Sequence, residues 1–293
     1  MITNDLVYTL FGIESLVFKV DSLGVATTDS SGDILTFLSD RKFISDLNKN
    51  KSIKAVFSKE VDSDVIRDDI VRIYVDDPKW YFFSLMNYLA ENKKRKPSSI
   101  STSAKIHPTS FIDSEGVVIE DNVLVEPNVT ILKDTVLKRG SIVRAGAVLG
   151  VDGFEHKKTS KGPLSVVHDG KLIVEENAEI GPNNTIIKGF GYRDTIIGEG
   201  SKLDGLVHYA HGVQCGVGCL IAANAMIAGH VTLGNNVWVG PSVSISNRIT
   251  IADNSFLTIG SVIVRDVAKN EKLTGNFAIP HEKFIRNYAK SIK

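Results

Sequence analysis

The stretch Leu206–Gly218, LVHYAHGVQCGVG, places two imidazoles, His208 and His211, three residues apart among apolar and small residues. A packed core has little use for an imidazole. A histidine can exchange a proton near neutral pH, so it can serve as a general base wherever it meets a reacting group. Whether His211 does so depends on which way its side chain points, and the elements around it must decide that.

Those elements are repeats. From Ile197 an apolar or small residue returns at every sixth position through Leu203, Tyr209, Cys215, Ile221 and Ile227 to Ile263, and the next residue is mostly Gly, Ala, Asp or Ser. An earlier block, Ile119 to Leu149, does the same. A period of six is neither helical nor strand-like. It is the hexapeptide signature of a parallel β-helix in which each hexad forms one side of a triangular coil. Three hexads close a coil, so residues eighteen apart stack at roughly 4.8 Å.

With Tyr209 inward, His211 is expected to point outward near a corner, and His208 to lie nearer the inward side as a structural residue. His211 then stacks below Gly229, and Gly229 below Asn247. His230 and Arg248 form the adjacent column, a corner expected to be basic and to suit the phosphates of an acyl donor. Glycine lets a ligand or side chain approach its backbone N–H, since no Cβ shields it. A base beside a free N–H is what acyl transfer requires. The base removes a proton from an attacking amine, and the N–H receives the charge on the thioester oxygen.

The repeat is interrupted by one extra residue between Ile112 and Ile119, by a break through IKGFGYRDTI (187–196), and by a polar excursion from about Gly150 to Lys171. A long polar excursion from a solenoid is usually a functional loop.

At 293 residues, with 34 Lys and Arg against 34 Asp and Glu, no charge excess points to nucleic acid. No apolar run is long enough to span a bilayer and no N-terminal signal pattern is present, so a cytoplasmic protein is expected. Cys215 and Cys219 fit neither a disulfide framework nor a zinc pattern, and read as buried thiols. NKKRKPSSISTSAK (92–105) reads as a solvated linker. It separates an α/β domain (1–97) from the β-helix (98–265), and a partly helical tail (266–293) follows. In the first of these, Asp77-Pro78 supplies an N-cap and first helical position for a helix through Tyr88.

DGLVHYAHGVQCGVG with AGHVTLG resembles the active-site stretch of the UDP-3-O-acylglucosamine N-acyltransferase family. GVDGF (150–154), EIGPNNTIIKG (179–189), GDILTFLSDRKF (32–43) and YVDDPKWYFFSLMNYL (74–89) are similar to further segments of that family. The resemblance implies a mainly β fold, a left-handed parallel β-helix behind a small α/β uridine-binding domain. It implies His211 as the base, Gly229 as the oxyanion donor and Asp204 as the acid associated with the base. His230, Asn247 and Arg248 would hold the acyl donor. Phe37, Asp40 and Phe43 would hold the nucleobase, and Asp152, Gly153 and Phe154 would form a substrate loop. A homotrimer is implied, with an acyl-CoA or acyl carrier protein as donor and neither metal nor permanent cofactor. The chain departs from the family pattern at Asp40 (commonly Asn), Phe43 (commonly Tyr) and Arg248 (often His). The tail, ending GNFAIPHEKFIRNYAKSIK, lacks the longer helical extension associated with carrier protein and looks more like the acetyltransferases of nucleotide sugars.

The expected activity is N-acyl transfer to the amino group of a UDP-linked sugar for surface glycan synthesis. Alternatives are the lipid A enzyme itself, O-acetylation of a sugar, and an inactive nucleotide-sugar-binding paralogue.

Overall fold

The hexad rule places one aliphatic side chain per hexad in the interior, and every such position from Ile197 to Ile263 is buried in the computed structural model, which describes residues 1–28, 30–190, 193–275 and 278–291. Two-residue strands, recurring every six residues, assemble into three parallel sheets of eight, nine and eight strands. Within the uninterrupted repeat each strand pairs with the strand eighteen residues on: Thr232 with Thr250, Trp238 with Phe256, Ser244 with Val262. This is the left-handed parallel β-helix expected.

The corners need a residue in the left-handed backbone region, and there the sequence supplies mostly Asn and Gly. Asn122, Asn128, Gly140, Gly146, Asn177 and Asn183 all have φ between 55° and 73°. From Gly200 to Gly260 every sixth residue is in this conformation. The bulky exceptions are Leu206, His230 and Arg248, at φ 61°, 62° and 60°. The interior also holds Tyr209, fully buried, whose hydroxyl donates to the Ile196 carbonyl at 2.8 Å. Both thiols are buried and free. Cys219 Sγ donates to the Gly234 carbonyl at 3.0 Å, and Cys215 Sγ accepts from the Gly198 N–H at 3.3 Å.

The front of the chain is a parallel four-stranded sheet (Ser22–Leu23, Ile34–Phe37, Ile53–Ser58, Val71–Tyr74), with a helix, Pro78–Glu91, following the last strand. Asp77 caps that helix, its carboxylate accepting from the Trp80 N–H at 3.1 Å, and the helix runs three residues beyond Tyr88.

The junction differs from the expected linker. Ser99–Ile100 and Lys105–Ile106 are already strands of the coil. Lys93 and Arg95 reach the buried carboxylate of Asp134 at 3.0 and 2.8 Å. A buried carboxylate needs such partners, so the basic run clamps the two halves together instead of floating in water. The coil also continues past residue 265, through the strand Lys272–Leu273. An exposed helix, His281–Ser291, ends the described chain.

The long excursion folds as an antiparallel hairpin, His156–Thr159 with Gly162–Ser165, inserted so that Leu149 pairs with Ile186. It packs on the Pro78–Glu91 helix. Asn87 accepts from the Val167 N–H at 2.9 Å and donates to the Ser165 carbonyl at 2.8 Å. Asp77 accepts from the Ser160 N–H, and the Lys161 ammonium lies 3.5 Å from the centre of the Trp80 ring. Val166 and Phe190, from the two interruptions of the coil, are buried in the front domain's core beside Phe82 and Phe83.

Candidate active site

The coil places the His211 ring directly beneath Gly229. A methyl group built on Gly229 would lie 2.5 Å from His211 Nε2, closer than carbon and nitrogen approach in proteins, so only glycine fits above this ring. Gly229 is buried. Its carbonyl accepts from the Arg248 N–H at 3.0 Å, but among the described residues no acceptor is paired with its N–H. At the corresponding turn positions, the Val217 and Asn235 N–H groups donate to the side chains of Asn235 and Asp253, each at 2.8 Å, while those of His211, Ala223 and Asn247 also lack an acceptor among the described residues but belong to half-buried or exposed residues. A donor left unpaired in a buried corner is costly unless a ligand meets it.

His211 is 13 % exposed at its side chain, so it points away from the interior of the coil without reaching bulk water. Its ring is surrounded edge-to-face by His168, Phe190 and His230, with centroids 5.3, 5.3 and 5.1 Å away. Glu155 Oε2 stands 3.4 Å from its Nε2. Burial lowers the His211 pKa below its ordinary value. Glu155 opposes that shift, and Lys157 and Arg248 add to it. The imidazole is therefore neutral at neutral pH and free to accept a proton.

His230 sits over Gly212, with Nδ1 2.9 Å from where a Cβ on that glycine would lie. Burial, with the His211, Arg248 and Arg193 charges, pushes its pKa down to about 4. The corner is thus less basic than expected. Arg248 is exposed with Asn247 on the next coil, and His230 is neutral at pH 7. His168, fully buried, is likewise lowered to about 4, by burial first.

Asp204 lies elsewhere in this protomer. It follows a strand of the nine-stranded sheet, at a different corner from His211, and its carboxylate accepts from the Gly205 N–H at 2.7 Å. The carboxylate against His211 is Glu155. His208 differs from the inward reading as well: it is exposed, because Tyr209 takes the inward slot and neighbouring strand residues alternate.

In the excursion, Asp152 pairs with the buried Lys188 at 3.2 Å, and the Gly153 N–H donates to His168 Nε2 at 3.3 Å. Phe154 is 88 % exposed and packs on His156. In the front domain, Phe37 packs its ring against Phe82 and Phe83, at 4.7 and 5.5 Å. Asp40 caps the short helix Arg41–Phe43 and pairs with Lys42 at 3.0 Å. The Phe43 ring is exposed beneath the Lys42 ammonium. The structure brings His211, Gly229, His230 and Arg248 together. Asp204 and the front-domain trio lie apart from them.

Five neighbours of His211 and His230 escaped the sequence reading: Glu155, Lys157, His168, Phe190 and Arg193. All come from the interruptions of the repeat, where the period places no residue. Their one sequence signal is the polarity and length of those interruptions. Gly191 and Tyr192, in the second of them, lie outside the described residues. Among the described residues, no cluster of metal-ligating side chains and no helix long and apolar enough to cross a membrane is present.

The repeat is also where the chain is similar to known proteins. A family model described as bacterial transferase hexapeptide (six repeats) matches residues 116–150. The more particular likeness is to UDP-3-O-acylglucosamine N-acyltransferases. That of Methylobacterium nodulans is 36 % identical over 48 % of this chain and 40 % of its own length. That of Rhizobium meliloti is 39 % identical over 49 % of this chain and 41 % of its own. The chain thus matches less than half the length of these curated relatives. Among solved structures, the UDP-N-acetylglucosamine acyltransferase of Campylobacter jejuni is 21 % identical over 62 % of this chain and 81 % of its own, with a TM-score of 0.48.

Proposed function

We propose that the chain is an acyltransferase that moves an acyl group from a thioester to the amino group of a UDP-linked amino sugar. The observation that carries this reading is the neutral His211 imidazole stacked under the unpaired N–H of Gly229. The amine attacks the thioester carbon while His211 takes its proton. The tetrahedral oxygen takes up negative charge and is held by the Gly229 N–H. The C–S bond then breaks, and the imidazolium returns its proton to the leaving thiolate. No step calls for a metal.

Arg248 and Asn247, exposed at the rim, are assigned to the phosphates of a CoA donor, and His230 to a neutral hydrogen bond there. Phe43 and Asp40, with Phe37 as their packed support, are assigned to the uracil ring. Asp152, Gly153 and Phe154 are assigned to the sugar side. Asp204, remote from His211 within one protomer, would meet it across the interface of a homotrimer. The enzyme would work in the cytoplasm on precursors of a surface glycan. The relatives' names favour a second reading, in which the sugar is a 3-O-acylated UDP-glucosamine.

The test is mass spectrometry of the full chain incubated with UDP-amino sugars, including the 3-O-acylated glucosamine, and with acetyl-CoA or a hydroxyacyl carrier protein. A mass gain on the amine identifies acceptor and donor together. Product confined to the carrier-protein donor and the 3-O-acylated sugar would select the second reading. His211→Ala should keep the fold and lower turnover by about 10²–10⁴, the usual worth of a general base. Near-normal turnover in the folded variant would remove His211 from the chemistry.

A further inference from the structure

We propose that Glu155, delivered by the hairpin and held by Lys157, is the positioning carboxylate of the His211 base. This rests on the reading of His211 given above. The charged and titratable groups facing His211 are Glu155, just before the hairpin's first strand, Lys157 within that strand, His168 from the hairpin's exit, His208 from its own strand, and His230 and Arg248 from the coils above. Glu155 is the one acid among them. Both partners are sheltered, at 13 and 15 % exposure, where a charge acts with less screening than at the surface.

When His211 takes the proton of the attacking amine it becomes a cation, in a corner that already holds Arg248 and Lys157. Glu155, 3.4 Å from Nε2, offsets that cation until the proton passes to the leaving thiolate. Lys157 pairs with the other Glu155 oxygen, and its own charge opposes a cation on the ring. The Lys157 ammonium in turn lies over the Phe83 ring of the front-domain helix, 4.7 Å from its centre. The front domain thereby fixes the base's partner through one lysine. Asp204 has no such path within the protomer.

The experiment titrates the histidine ring resonances of the full chain by NMR, with His211 assigned by its loss in His211→Ala, alongside the pH profile of kcat/KM. Glu155→Gln, nearly isosteric, removes the negative charge. The His211 pKa should fall by about one unit or more. The acid limb of the profile should move down with it, and the plateau should drop about 10–100-fold, the usual range for a supporting partner. Lys157→Met removes the opposing positive charge and should move the His211 pKa upward. Opposite shifts in two folded variants cannot come from general loosening of the hairpin. An unmoved His211 pKa in Glu155→Gln, or shifts of the same sign in both variants, overturns the proposal while leaving His211 as base. Turnover that survives His211→Ala but not Glu155→Gln would make Glu155 the base itself, and would overturn both assignments.

Discussion

Two corners of the coil share one backbone and carry opposite side chains. At the first, the left-handed positions are Gly200, Gly218, Asn236, Asn254 and Asn270. The asparagines form a ladder, with Asn236 donating to Asn254 at 3.4 Å and Asn254 to Asn270 at 3.2 Å. At the second, the stacked positions are Gly212, His230 and Arg248. An ordinary L-residue held in this conformation costs roughly 1–2 kcal/mol, a cost that Gly avoids and Asn reduces by local hydrogen bonding. The first corner is built for stability. The second keeps two strained side chains where His211 and Gly229 meet, and backbone strain of this kind clusters at functional sites.

The contrast is broken most sharply at Gly229. Its φ lies outside the left-handed region, so alanine is sterically legal for the backbone, and the three atoms nearest the added methyl all belong to the His211 ring, the first at 2.5 Å. Gly229→Ala should therefore keep the fold, at a modest cost in melting temperature from overpacking, and displace the imidazole. A misplacement near 1 Å costs about 10²-fold in rate. Normal turnover with a normal fold would show that the close approach has no role in chemistry.

A second difference between the corners is acid sensitivity. His168 and His230 are both held near pKa 4, against 6.5 in the unfolded chain. The unfolded chain therefore binds protons that the folded one refuses. Stability is full above pH 6.5 and declines as pH falls toward 4, by up to about 1.4 kcal/mol per pH unit for each such histidine. His168→Gln keeps an acceptor for the Gly153 N–H and removes one of these protons. Its melting temperature should fall less than the parent's between pH 7 and pH 4.5. Parallel curves would show that His168 takes up a proton as readily folded as unfolded.

The smallest effect sharpens the comparison directly, by making the same substitution at both corners. Arg248→Gly relieves the left-handed strain and should raise stability by about 1 kcal/mol. Asn254→Gly removes little strain and two ladder hydrogen bonds, so it should be neutral or slightly destabilising. Denaturant titration of the two variants separates them. On the proposed activity, Arg248→Gly should also raise KM for a CoA donor, and Asn254→Gly should not. Equal stability changes at the two sites would end the claim that one corner is strained.

How far the sequence could be read follows from the same regularity. Within the repeat, a residue's place is arithmetic. Tyr209 inward puts His211 at the corner, and eighteen residues bring Gly229 above it. The arithmetic failed at His208, where strand alternation set the facing, and at the linker. There a buried Asp134 captured Lys93 and Arg95, a long-range pairing that composition does not display. The front-domain residues were reached through family likeness alone. Phe37 packs in an aromatic cluster and Phe43 is exposed, and nothing in their local pattern separates those two fates.

By itself the sequence determined the coil, the interior residues and the meeting of His211 with Gly229, because a period of six converts position in the chain into position in space. Only the tertiary structure decided what surrounds that meeting. Glu155, Lys157, His168, Phe190 and Arg193 leave the coil at its interruptions and return to one corner. Their destination is set by the packing of the hairpin and Phe190 on the front-domain helix. No local rule fixes the distance from residue 155 to residue 211. It depends on burying Val166 and Phe190 beside Phe82 and Phe83, and such burial is a property of the whole fold.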